Sequence, residues 1–258
     1  MKLSAAIITL NEELNLKRTL PTIKDLVDEI VIVDSGSTDK TKEIAEGFNA
    51  NFIFNQWQGY GEQRNFAFAN CSGDWILCID ADEPISPELS NKIKEIVNGK
   101  DISSKVFSIN RRGVCFGKKL KYGIFFNDYQ VRLFRKDVGM FNNNSVHEKF
   151  ITEHKIEKLP NKYFISHYAY NSMEDYLERF NKYTTLGAID CKIRNKNSSV
   201  FRIVFSPFFT FFKMYFLKLG FLDGLEGFVL SVMSAIYPMI KYFKLREEQQ
   251  IAVSSKTI

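Results

Sequence analysis

Three short apolar runs each stop on acids or amides, and that pattern limits the fold more than any other feature of the chain. Residues 3–10 (LSAAIITL) run into Asn11, Glu12 and Glu13, and residues 29–34 (EIVIVD) end on their own aspartate. Residues 75–80 (WILCID) give way to Asp80, Asp82 and Glu83, after which Pro84 forbids the strand from continuing. Between these runs lie segments of helical period: EELNLKRTLPTIKDL, then KTKEIAEGF behind the turn and N-cap residues SGSTD, with Gly47 as a stop. A short strand NFIF at residue 51 and a loop and helix in GYGEQRNFAFAN complete the series. Strands alternating with helices predict an α/β fold: a Rossmann-like mixed, mainly parallel sheet with helices on both faces. Ligands of such sheets bind beyond the carboxyl ends of the strands. Thr9, Asn11 and Glu12, then Asp34, then Asp80 and Asp82 should therefore meet on one edge.

After Pro84 the pattern becomes a short helix near 87–98, followed by KVFSINRRG and QVRLFRK as further strands. NSMEDYLERFNKY opens with Ser172 and Asp175 at capping-box spacing and puts Met173, Tyr176, Leu177, Phe180 and Tyr183 on one helical face, expected to pack back on the core. The net charge of +5, with both signs interspersed, is too mild to argue for nucleic acid, though it suits phosphate-bearing ligands or anionic lipid. Cys71, Cys78, Cys115 and Cys191 show neither C-x-x-C pairing nor a histidine at metal-ligand spacing, so they read as reduced residues. The N-terminus lacks the charged start and cleavage site of a signal peptide, so a cytoplasmic protein is expected.

Two aspartates one residue apart at a strand end can both reach one divalent ion, or one can bind directly and the other through water. Oxygen ligands of this kind suit Mg2+ or Mn2+. Taken alone, D-A-D is equally a solvated turn at a helix N-terminus; its place beside two other polar clusters favours metal. Two carboxylates leave coordination positions that a substrate's phosphates can complete, so a diphosphate is the natural partner. Arg64 could add a bidentate contact to those phosphates or pair at the surface with Glu62. Asp34 could accept from a base or a ribose hydroxyl, or cap the next helix. His154 and His167 have no evident partner and read as structural. Phe125, Phe126 and Tyr129 fit sugar stacking and core packing equally.

IITLNEE, IVIVDSGSTDKT, GYGEQRNFA and CIDADE together resemble a family 2 glycosyltransferase of the GT-A fold, over about the first 90 residues. YQVRLFRK, VHEKF and GFLDGLEGF…KYFKL are similar to lipopolysaccharide core glucosyltransferases, extending the likeness with less specific motifs. The resemblance implies transfer of a sugar from a UDP-sugar to an acceptor hydroxyl with inversion. It implies a catalytic domain over 1–170, with a nucleotide-sugar half near 1–90 and an acceptor half near 91–170, and a membrane-associating helical extension over 171–258. By position, Thr9, Asn11, Glu12 and Asp34 would hold the uridine, Arg64 would touch nucleotide or diphosphate, and Asp80 and Asp82 would engage ribose and metal. Inversion in one displacement needs a general base. The family often supplies it from a Glu-Asp pair after an arginine-bearing strand; here only VHE follows RLFRK, which makes Glu148 the candidate, His147 its neighbour or substitute, and Asp128 the rival.

In a helix starting near Val200, or at Pro207, residues Arg202, Ser206, Thr210 and Lys213 form one polar stripe on an aromatic body, an interfacial pattern. The uncharged run 227–240 falls short of the roughly 20 residues that a span needs. A helical pair lying in the cytoplasmic leaflet is expected, with Lys241, Lys244 and Arg246 near anionic headgroups; a buried core helix or a dimer interface is the alternative. Such a surface position at the bacterial inner membrane suits a lipid-linked acceptor, such as lipopolysaccharide or lipooligosaccharide core. Rival readings are a nucleotidyltransferase, for which the N-terminus lacks a Gly-rich basic loop, a nucleotide-sugar-binding module without turnover, and transfer to capsule, teichoic or other surface glycans.

Overall fold

The computed structural model describes residues 1–99, 104–142 and 148–254. The chain divides into two compact units, one made of 1–112 and 128–168, the other of 113–127 and 169–258. Residues 113–127, which lie within the stretch 91–170, group with the C-terminal helices.

In the first unit, β1 (Leu3–Thr9), β2 (Glu29–Asp34), β3 (Asn51–Phe54) and β4 (Trp75–Cys78) are all parallel, with β1 between β2 and β4. α1 (Glu13–Ile23), α2 (Thr41–Gly47) and α3 (Tyr60–Ala69) are the crossovers, and α4 (Pro87–Asn98) follows β4, capped by Ser86 with Pro87 at its first turn. Antiparallel strands come only later: β7 (Tyr129–Arg135) pairs with β4 and with β5 (Val106–Cys115), and β10 (Ile156–Lys158) runs parallel to β5 at the edge. The sheet order β10-β5-β7-β4-β1-β2-β3 is thus the mixed Rossmann-like arrangement expected.

Strand alternation sorts the core onto two faces. Leu3, Ala5, Ile7, Ile30, Ile32, Trp75 and Leu77 meet Leu16, Leu20 and Ile23 of α1 and Leu89, Ile93 and Ile96 of α4. Ala6, Val31, Val33, Ile76 and Cys78 meet Ala67 and Phe68 of α3 on the other side, together with Phe141 and Phe150 from the short pair β8 (Met140–Phe141) and β9 (Phe150–Ile151). Helices therefore cover both faces. All four cysteines are buried and unpaired, and burial pushes the Cys71 and Cys115 thiols up to about 12.

The last residues of β5 pair with β6 (Lys118–Leu120) in the second unit, where Cys115, Leu120, Phe125, Tyr176 and Leu230 form a separate core. α5 (Met173–Ile193) begins at Ser172, whose Oγ accepts from the Asp175 N–H at 3.1 Å as the capping spacing predicts, while the Asp175 carboxylate accepts from the N–H of Asn171, one residue before the cap. Its buried face matches the predicted one only in part: Tyr176 and Phe180 pack as expected, but Met173, Leu177 and Tyr183 are exposed, and farther along Thr184, Ala188 and Cys191 are buried instead. Small residues win because α7 (Gly224–Ser254) packs closely there, with Lys244 Nζ donating to Thr184 and Thr185 and the Asn181 carbonyl. α6 (Val200–Phe212) starts at Val200, capped by Ser199, with Pro207 inside it and no buried residue. The stretches Val200–Leu217 and Gly220–Gln250 are long and apolar enough to cross a membrane by length and composition. The second exceeds the uncharged 14-residue run because the helix continues through its charged ends.

Candidate active site

Because β1 lies between parallel β2 and β4, the three expected clusters leave one edge of the sheet. Thr9 and Asp34 are register partners, and the Thr9 hydroxyl donates to Asp34 Oδ1 at 2.8 Å. The other donors to the Asp34 carboxylate are the Ser37 hydroxyl at 2.5 Å and the N–H groups of Gly36 and Ser37 at 2.8 and 2.7 Å. Asp34 therefore shapes the turn that follows it; Gly36 sits at φ +108°, where a side chain would strain. Asn11 is tied to the same turn, its Oδ1 accepting from the Thr38 N–H at 2.8 Å. The Glu12 N–H donates to Thr41 Oγ1, and its carboxylate accepts from Asn15. On α1, the Thr19 hydroxyl donates to the Ala81 carbonyl at 2.6 Å and fastens the D-A-D turn.

The motif GYGEQRNFA resolves into separate jobs. Gly61 lets α3 approach β8, since a Cβ there would lie 2.1 Å from the Asn142 carbonyl oxygen. Buried Gln63 donates to Ser35 Oγ and to the Asn55 carbonyl. Asn65 exchanges two hydrogen bonds with the Phe141 backbone. Arg64, between them, reaches the edge: Nη2 donates to Asp80 Oδ1 at 2.7 Å and Nη1 to Glu148. The surface pairing with Glu62 weighed for it is not what these contacts show.

Asp80, expected to bind metal with Asp82, has both carboxylate oxygens on arginines, the second on Arg132 Nη2 at 2.7 Å. Burial alone would push the Asp80 carboxyl up, but Arg132 and Arg64 outweigh it and hold it well below the usual carboxylate range. Burial would likewise lower the Arg64 guanidinium, yet Asp80 raises it above its ordinary value. Asp82 turns the other way, toward β11 (Phe164–Tyr170): its carbonyl accepts from the Tyr168 N–H, and its Oδ2 lies 3.3 Å from His167 Nε2. His167 thus has a partner, where the sequence showed none. Burial depresses its imidazole, but the hydrogen bond to Asp82 raises it above the ordinary value. His167 lies 85 residues beyond Asp82, so only strand pairing could have revealed it. Of the base candidates, Glu148 touches Arg64, Asp128 is held by Arg111 at 2.8 Å, and His147 lies outside the described residues.

Among the described residues no group of three or more His, Cys, Asp or Glu side chains is gathered to hold a metal. The donor set still fits a divalent ion of the magnesium kind: Asp82 offers a hard oxygen and leaves most positions to phosphate and water. Asp80 could join only by giving up an arginine.

These features define a mixed α/β chain with a charged cluster at its sheet edge, and residues 4–149 match the model of glycosyl transferase family 2. The chain belongs to that family and is a glycosyltransferase. It is 32% identical to an uncharacterized glycosyltransferase of Rickettsia felis, over 95% of this chain and 90% of the relative. It is 28% identical to the lipopolysaccharide core biosynthesis glycosyltransferase LpsC of Rhizobium meliloti, over 97% and 94%. Among solved structures, S. aureus TarS 1-349 in complex with UDP-GlcNAc aligns with a TM-score of 0.49 at 17% identity, covering 97% of this chain and 92% of that one.

Proposed function

We propose that the chain transfers a sugar, glucose, from a UDP-sugar to a hydroxyl of a lipid-linked acceptor in lipopolysaccharide or lipooligosaccharide core, with inversion. The observation that carries the reading is Arg64, which touches Asp80 on the donor side and Glu148 on the other. Arg64 meets the donor's diphosphate, and Thr9, Asn11, Glu12 and Asp34 frame the turns that hold the uridine. As the diphosphate draws Arg64 away, Glu148 is released to take the acceptor's proton. The acceptor oxygen then forms its bond to the anomeric carbon from the face opposite the diphosphate, and UDP leaves with the electron pair. A divalent ion held by Asp82, with His167 beside it and Asp80 behind, would neutralise charge growing on that leaving group. Asp128, occupied by Arg111 and Gln130, is less free to serve as base.

Purified protein given Mg2+ or Mn2+ and a panel of UDP-sugars is expected to release UDP from UDP-glucose when a lipid extract containing core acceptor is added. Binding without release from any sugar, acceptor supplied, would refute the transfer reading.

The second unit supports a peripheral position on the cytoplasmic face of the inner membrane. Phe201, Phe205 and Phe208 recur along α6 at 69%, 53% and 71% exposure, flanked by Arg202 and Lys213. An apolar face of this extent beside cations suits anionic lipid. The protein is expected to co-sediment with phosphatidylglycerol vesicles, and serine at all three phenylalanines to weaken that about tenfold or more. Equal sedimentation of both proteins would argue against the lipid surface.

A further inference from the structure

Seven side chains form an unbroken line of alternating charge: Asp128, Arg111, Glu83, Arg132, Asp80, Arg64 and Glu148. Its centre is its most buried part, with Glu83 fully buried and Arg132 3% exposed. Glu83 Oε1 accepts from Arg132 Nη2 at 2.6 Å and from Arg111 Nη1 at 3.1 Å. Its other oxygen accepts from the Asp80 backbone N–H at 3.0 Å. The same Arg132 nitrogen donates to Asp80 Oδ2 at 2.7 Å. Asp80 is therefore fixed at two points, its main chain by Glu83 and its carboxylate by Arg132.

Burial of this kind is a poor way to gain stability, because apolar residues of similar volume commonly do as well as a buried ion pair. What an ion pair supplies and a methyl group does not is a set direction for the next charge in line. Arg132 stands on β7 one residue before Leu133, the partner of Leu77 on β4, so the rigid ladder of two neighbouring strands aims it. Arg64 also keeps a buried Nε–H without an acceptor among the described residues, a donor left unspent beside the oriented carboxylate.

We infer that Glu83 and Arg132 are positioning residues of the transfer reaction. Together they orient the Asp80 carboxylate, and Asp80 orients Arg64 toward the donor's diphosphate. This rests on the reading that the Asp80–Arg64 end of the site takes the donor.

The test compares the full chain with the double variant Glu83→Leu/Arg132→Met, which removes both buried charges together, and with Arg132→Lys. UDP release is measured across donor concentrations, with circular dichroism and thermal melts alongside. The double variant is expected to melt close to the parent, while the donor KM rises about tenfold and kcat falls about a hundredfold, with the acceptor KM unchanged. Arg132→Lys, which keeps the charge on a shorter arm, should recover most of kcat, with a donor KM about threefold above the parent. KM does not depend on how much of a sample is folded, so a purely structural role would lower Vmax and leave KM alone. That result, in parent-active protein, overturns the positioning role by itself. A parent chain that releases no UDP from any donor overturns the transfer reading and this inference with it. Should the double variant fail to fold, an unchanged donor KM in Arg132→Lys is decisive against the proposal.

Discussion

Asp82→Ala is expected to reduce UDP release about 10²–10³-fold, the loss usual when one preorganised electrostatic contact to a developing charge is removed, while the melting temperature stays within a few degrees. The two aspartates of D-A-D occupy different surroundings, and that decides the contrast. Asp80 is clamped between Arg64 and Arg132, so removing its carboxylate leaves two nearly buried cations each short of one partner and damages folding as well as rate. The Asp82 side chain is 14% exposed, with His167 rather than an arginine beside it, and its backbone carbonyl keeps the bond from Tyr168 after substitution. Alanine there leaves the backbone bond to β11 in place and takes away the carboxylate proposed to face the metal, together with its contact to His167. Titration with Mn2+ separates this from a general disturbance: the parent's rate should rise with metal, and the variant's should stay flat. Full activity in Asp82→Ala would leave the metal reading without its ligand.

How much of this could be read from the letters differs sharply between fold and site. The strands were legible because apolar runs of strand length, broken by Asn11, Asp34 and Pro84, admit few other interpretations, and their parallel order followed from the helices between them. The edge cluster was legible because parallel strands end on the same side. Arg132 and Glu83 were not, since their meeting depends on β7 lying antiparallel beside β4, a pairing such as Leu77 with Leu133 between residues far apart in the chain that no local period encodes. The burial of α5 was legible only in its first half, where Tyr176 and Phe180 pack as their spacing indicates. Farther along, the neighbour α7 comes close enough to select the small residues Thr184, Ala188 and Cys191, while the larger Leu177 and Tyr183 stay exposed. Asp34 stands between these cases. An acid at a strand end was visible, but the four internal donors that hold it belong to the shape of a turn.

Gly61→Ala should cost more than any other single methyl group near the site: a melting temperature lower by about 4–10 °C, from roughly 1–3 kcal/mol of overpacking, and UDP release down about a hundredfold. The new Cβ would meet the Asn142 carbonyl oxygen at 2.1 Å and its carbonyl carbon at 3.1 Å, and backbone cannot swing aside as a side-chain tip can. Asn142 is itself pinned: its N–H donates to the Lys149 carbonyl at 3.0 Å, and its side-chain Oδ1 accepts from the Lys149 N–H at 3.0 Å. Relief must come from moving α3 or the β8–β9 pair. α3 carries Arg64 three residues on, and Lys149, held by Asn142, is next to Glu148, so either movement separates the two groups that the reaction needs in register. The control is Gly47→Ala at the end of α2, where no atom lies within 4 Å and alanine should be neutral or stabilising by up to about 1 kcal/mol. If both variants melt and turn over alike, then the close approach of α3 to β8 does not set the Arg64–Glu148 pair, and the geometry proposed for base and diphosphate loses its support.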